Sequence, residues 1–155
     1  MPTILERYNK ISRYPGGRFV FAKLVGLSAP FFAKIKPRFI DLRPAYCETQ
    51  IDDRRAVHNH MGTINAGALC SLAEMTGGLA LDTVVPKNMR WIPKSMEVKY
   101  VNKATGTITA ISQFNPEIVI EGDVVIPIIV SNKENKTVFS ADITFYISKK
   151  KAAKR

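Results

Sequence analysis

The chain has 155 residues, 46% of them apolar and 23% charged, which is the profile of one ordinary soluble globular domain with room for a sizeable core. Its net charge of +10 suits a polyanionic partner, whether nucleic acid, an anionic membrane surface or a phosphorylated small molecule. Two cysteines, Cys47 and Cys70, make neither a disulfide framework nor a metal-ligand spacing, so a reducing compartment and a cytoplasmic location are expected.

The N-terminus does not read as a signal peptide, because Arg7, Lys10, Arg13 and Arg18 are spread through it and Lys23 interrupts the apolar run that follows. Residues 3–13 predict a short helix, closed by the breaker Tyr14-Pro15-Gly16-Gly17. A second helix is expected over Arg18–Leu27, ended or kinked by Ser28-Ala29-Pro30, with Phe31-Phe32 as a continuation. Lys23, Pro30 and Lys34 break residues 19–35 too often for a membrane-spanning helix. The segment Phe19–Ile35 can cover a pocket or rest on a membrane interface. Packing on the domain is the reading taken, and no membrane contact is expected.

Strand signals begin near Arg38. Phe39–Arg43 alternates, Pro44 interrupts, and Ala45–Ile51 resumes after a bulge. Asp52–Gly62 reads as loop. Ala66–Val84 reads as a long helix with Asn65 or Thr63 as its N-cap and Pro86 just beyond. From Ala66 to Leu81 it consists of Ala, Gly, Leu, Cys, Met, Ser and Thr, apart from Glu74. A helix apolar all round is a buried helix, and Cys70 reads as one of its small core residues. An ionised carboxylate inside it costs several kcal/mol unless something pairs with it. Glu74 is therefore the leading candidate for chemistry.

Only strands follow. Ser95–Asn102 alternates, with Met96, Val98 and Tyr100 on one face, and Ala104-Thr105-Gly106 turns into Thr107–Phe114. Asn115-Pro116 turns again. Val119–Ser131 is a long strand with Pro127 at an edge or bulge. Asn132–Asn135 leads back into Thr137–Ser148, where Phe139, Ala141, Ile143, Phe145 and Ile147 share a face. The fold class is α+β: an antiparallel sheet of about five strands wrapped around one long central helix, the hotdog architecture. The expected organisation is a helical extension over 1–35, the sheet-and-helix domain over 36–148 and a basic tail over 149–155. The tail reads as a solubilising end.

The order Asn59-x-x-Gly62-x-x-Asn65-Ala66-Gly67-Ala68-Leu69, followed by Leu72-Ala73-Glu74, resembles the active-site segment of hotdog-fold acyl-CoA thioesterases of the phenylacetate-pathway type. Those commonly read Asn-x-x-Gly-x-x-His-Gly-Gly, then Leu-Ala-Asp at the same distance. Asn65 here stands where His is common, and Glu74 where Asp is common. The resemblance covers about residues 38–148. It implies a dimer, or a dimer of dimers, with the site built across the subunit interface. It also implies catalytic positions at Asn59 and Glu74.

The expected activity is hydrolysis of a small-molecule acyl thioester, carried on coenzyme A or on acyl carrier protein. Glu74 would act as general base or nucleophile, its basicity raised by desolvation. Asn59 would orient the thioester or the water. Free amides of the first helical turn, with Gly67, would stabilise the oxyanion, and Asn65 is counted with the catalytic positions. His60, Thr63, Ile64 and Ala66 flank these positions and are assigned to substrate binding. No cofactor or metal is expected, coenzyme A entering only as part of the substrate, and nothing interleaves aromatic and basic residues as a nucleic-acid platform would. Two alternatives stay open: a hydratase or dehydratase on acyl thioesters, which would need His58 or His60, and a non-catalytic acyl-CoA binding or sensing module.

Overall fold

A computed structural model describes residues 2–150. Two helices, α1 (Ile4–Ile11) and α2 (Gly17–Ser28), precede a 3-10 turn over Phe32–Ile35. A hairpin of β1 (Arg38–Arg43) and β2 (Tyr46–Ile51) leads through a loop to the long helix α3 (Ala66–Asp82). Four strands complete the chain: β3 (Met89–Tyr100), β4 (Ile108–Gln113), β5 (Gly122–Ser131) and β6 (Thr137–Lys149). All six strands form one antiparallel sheet in the order β1-β2-β4-β5-β6-β3. No helix among the described residues is long and apolar enough to cross a membrane. Apart from Lys149 at the end of β6 and Lys150, the expected tail lies outside the described residues.

The α+β reading with a sheet around one helix holds, with six strands rather than five. The extra strand comes from Pro44-Ala45. Ala45 takes a left-handed φ of 54°, so the chain reverses into a hairpin instead of continuing through a bulge. The bulge lies inside β1, between Phe39 and Asp41. Pro127 is on neither an edge strand nor a bulge. It sits within β5 opposite Asp142, where its carbonyl accepts from Ser112 Oγ of β4 at 2.9 Å. Backbone pairing between β4 and β5 ends at Ile111–Ile129, so the N–H that proline lacks would have had no ladder partner. β3 starts at Met89, earlier than the alternation from Ser95 indicates. As an edge strand it absorbs Pro93 with a register shift before Ser95.

The core lies between the concave face of the sheet and α3. Alternate residues of β5 (Val124, Ile126, Ile128, Val130) and of β6 (Phe139 to Ile147) are buried against Leu69, Leu72, Ala73, Met75 and Leu81. The N-terminal helices share this core. Tyr8, Phe21 and Phe39 stack edge to face at 5.1 and 4.9 Å and join α1, α2 and β1. Small residues let the layers close. A Cβ on Gly77 would stand 2.9 Å from Ile128 Cδ1, and one on Gly78 would stand 2.9 Å from the Trp91 ring.

The loop before α3 is held by polar tethers. Asp53 bonds His58 Nε2 through one carboxylate oxygen and accepts from the Gly106 amide at 2.6 Å through the other. The hydrogen bond from His58, and after it the Gly106 amide, hold the Asp53 carboxyl below the usual carboxylate range. The Asn65 amide donates to the Val57 carbonyl and the Ile64 amide to the Ala104 carbonyl, which fixes where α3 begins.

Two outcomes test these constraints. Thr76 Oγ1 donates to the Leu72 carbonyl at 2.7 Å, so the buried Thr49 hydroxyl must donate to Thr76, at 2.6 Å. Thr76→Val should cost about 1–3 kcal/mol in urea unfolding by stranding Thr49, and Thr49→Val/Thr76→Val should recover most of it. Because the folded Asp53 carboxyl is more acidic than the unfolded one, its stabilisation is complete above the unfolded pKa and is lost as pH falls through the folded value. Asp53→Asn should therefore lower the melting temperature near neutrality, and the deficit should shrink as thermal melts are taken below about pH 4.

Candidate active site

Helix α3 shows a different surface at each end. Its N-terminus opens to solvent: Asn65, Ala66 and Gly67 are exposed. Asn65 is the N-cap, and its Oδ1 accepts from the Gly67 amide at 2.7 Å. This corrects the expectation of a free Gly67 amide, which is spent on the cap. Among the described residues the Ala66 amide has no hydrogen-bond partner, and neither does Asn65 Nδ2. Two donors therefore point out from the first turn, one from backbone and one from side chain.

Asn59 is committed to its own loop. Its Oδ1 accepts from the Met61 amide at 2.9 Å and the Thr63 amide at 3.2 Å, and its Nδ2 donates to Thr63 Oγ1 at 2.9 Å. Gly62, with φ 74°, completes this turn. The residues expected to bind substrate separate: His60 is exposed on the loop, Thr63 is held by Asn59, Ile64 is in the core, and only Ala66 lies open at the helix end. His58 is occupied by Asp53.

From the first turn to the middle of α3, a stripe left partly uncovered by the sheet carries Gly67, Cys70 and Glu74, spaced three and four residues apart. Cys70 is half-buried rather than in the core, and its Sγ lies 3.5 Å from the Tyr100 hydroxyl of β3. That contact, with some burial, pushes the Tyr100 hydroxyl up from its ordinary value. Cys47 is the fully enclosed cysteine, and burial pushes its thiol far up, so it is inert.

Glu74 is half-buried, not enclosed, and among the described residues its carboxylate has no ion pair or hydrogen bond. It stands on the wall of a cavity of about 380 Å³ between α3 and the N-terminal helices. The remaining wall is mostly apolar, with Phe21, Leu24, Val25 and Phe32 facing Met75 and Leu79. The polar groups there are few. Arg7 contributes from α1, and Asp82 accepts from the Trp91 indole N–H at 3.0 Å. This cavity was not legible in the sequence, because it forms only where residues about fifty apart in the chain meet. Among the described residues no three His, Cys, Asp or Glu side chains cluster to hold a metal.

The arrangement is thus an unpartnered carboxylate between an apolar cavity and a helix N-terminus with open donors. Comparison with known proteins bears on the family and the fold. A family described as a domain of unknown function, DUF4442, matches residues 17–147. A structural-genomics protein, APC5556, superposes with a TM-score of 0.84 at 36% identity, over 95% of this chain and 99% of that one. PA5026 of Pseudomonas aeruginosa, described as a probable thioesterase, superposes with a TM-score of 0.75 at 20% identity, over 82% of this chain and 92% of its own. The E. coli PaaI protein from the phenylacetic acid degradation operon does so with a TM-score of 0.69 at 15% identity, over 81% and 88%. No curated protein matches the chain in sequence. The chain belongs to the DUF4442 family, on the hotdog fold that it shares with the probable thioesterase PA5026 and with PaaI.

Proposed function

We propose that this protein hydrolyses an acyl thioester of the acyl-CoA type. The observation that carries the reading is Glu74: a carboxylate without a partner among the described residues, at the junction of a mostly apolar cavity and the open stripe of α3. An acyl chain would fill the cavity, leaving its thioester at the mouth beside the carboxylate. Glu74 would take a proton from the attacking water and return it to the thiolate that leaves as the C–S bond breaks, or attack the carbonyl carbon itself, expelling the thiolate to give an anhydride that water then opens to the free acid. The charge that develops on the carbonyl oxygen needs donors set in advance. The Ala66 amide and Asn65 Nδ2 supply that chemistry, Asn65 serving as both cap and donor where the resembling enzymes carry His. Asn59 holds the loop that presents them.

The same geometry favours a site completed by a second copy. Ala66 and Glu74 are eight residues apart on one helix, or about 12 Å along its axis. Base and oxyanion donors must each approach to about 3 Å of the reacting group. Glu74 of one protomer and the helix N-terminus of another meet that requirement more directly. Strand β3 offers the means of association. It is an edge strand of 12 residues with Ile92 and Tyr100 exposed, and an open edge of that length is a template for pairing.

Glu74→Gln keeps shape and removes charge. Turnover of an acyl-CoA panel, read by thiol release, should fall about 10²-fold or more, while acyl-CoA affinity and melting temperature stay near wild type. Wild-type turnover in a folded Glu74→Gln protein would leave a non-catalytic acyl-CoA binding module as the better account. Light scattering at micromolar concentration should give at least twice the 17.3 kDa of one chain. A monomer would remove the shared-site reading.

A further inference from the structure

Helix α2 is apolar on both sides, yet it is covered on only one. Gly17, Phe21 and Val25 are buried against α1, β1 and the core. The opposite face carries Phe19, Val20, Leu24 and Leu27, and Phe31 extends it past the helix end. Phe19 is 67% exposed, Leu27 78% and Phe31 70%. A contiguous apolar face of this kind marks an interaction surface rather than scattered exposure.

The charges that the segment itself carries are of one sign, and the nearest carboxylates, Glu74 and Asp82, stand across the cavity on α3. From Arg7 to Ile40 the chain has eight Lys and Arg and no Asp or Glu. Lys23 lies between Phe19 and Leu27 by helical spacing, with its ammonium 5.3 Å from the centre of the Phe19 ring. Lys34 follows Phe31 by one 3-10 turn, and Arg18 and Lys36 are also exposed. Stacking this face on a second copy across a two-fold axis would set Lys23 and Lys34 of one copy near those of the other, and the segment itself has no carboxylate to pair with them. A surface both apolar below and anionic above has the complementary chemistry. An amphipathic helix lying in an acidic bilayer interface places Phe and Leu among the acyl chains and Lys and Arg among the phosphates.

We propose that the outer face of α2, with Phe31 and Lys34, docks on an anionic lipid surface. The face is continuous with the cavity, because Leu24 and Leu27 are both exposed and part of the cavity wall. Docking would therefore set the cavity mouth beside the lipid. The surface itself does not depend on the thioesterase reading.

The test is co-sedimentation of the full chain with phosphatidylglycerol-containing vesicles and with pure phosphatidylcholine vesicles. The wild type should bind the anionic vesicles, weakly or not at all the neutral ones, and should dissociate as salt is raised. Phe19→Ser/Phe31→Ser and Lys23→Glu/Lys34→Glu alter exposed side chains, so their melting temperatures should match wild type. Each should lose about tenfold or more in vesicle affinity. The basic C-terminus is common to all these proteins, so the difference belongs to this face. No binding by the wild type, or equal binding by the folded variants, would overturn the proposal. So would a wild-type assembly that the Phe19→Ser/Phe31→Ser variant splits into smaller species, which would assign the face to a second copy.

Discussion

The structure depends on burying one helix that is apolar nearly all the way round. A sheet can cover only one side of α3. Gly77 and Gly78 let Ile128 and Trp91 approach to distances that any Cβ would obstruct, and the sheet curls around that side. The other side needs a second cover, which the 3-10 turn Phe32–Ile35 supplies together with α1 and α2, themselves tied to β1 by the Tyr8–Phe21–Phe39 stack. The cover is incomplete. What it leaves is a cavity at one end and an open stripe through Gly67, Cys70 and Glu74. The candidate site is the remainder of the packing problem, and its position follows from that.

Electrostatics then sorts the polar residues into holders and actors. Thr49 and Thr76, Asp53 and His58, and Asn59 and Thr63 all satisfy one another. Such closed sets fix a conformation and leave little capacity for a ligand. Among the described residues Glu74, the Ala66 amide and Asn65 Nδ2 are left open, and they lie on α3 and its cap. A half-buried carboxylate without a partner is costly in a protein kept only for its stability. Keeping it at a cavity wall is what turns a fold shared with named thioesterases into a specific chemical proposal.

The N-terminal segment applies the same physics with the opposite result. Its inner face solves the burial of α3. Its outer face is also apolar and is exposed, with Lys23 within it and Lys34 beside it. One helix thus serves both the core and the surface, and its two faces cannot be told apart by composition.

Much of the fold was legible in the sequence because it rests on local periodicity. The apolar run from Ala66 to Leu81, the alternation from Phe139 to Ile147 and the breaker at Tyr14–Gly17 each specify an element from neighbours a few residues apart. The N-cap, narrowed to Asn65 or Thr63, and Glu74 as the lone charge between Ala66 and Leu81, were legible for the same reason. Other features needed the tertiary structure. The Pro44-Ala45 hairpin depends on a left-handed residue that composition does not announce. Pro127 is tolerated only because the β4 ladder stops short of it. The Gly67 amide is lost to the cap, and Asn59 to its turn, through side-chain hydrogen bonds with no periodicity. The cavity joins α1 and α2 to α3, and the exposed face of α2 is defined by what fails to cover it. A sequence determines which residues want to leave water; the packed chain decides which of them succeed, because covering a surface is a property of two elements at once.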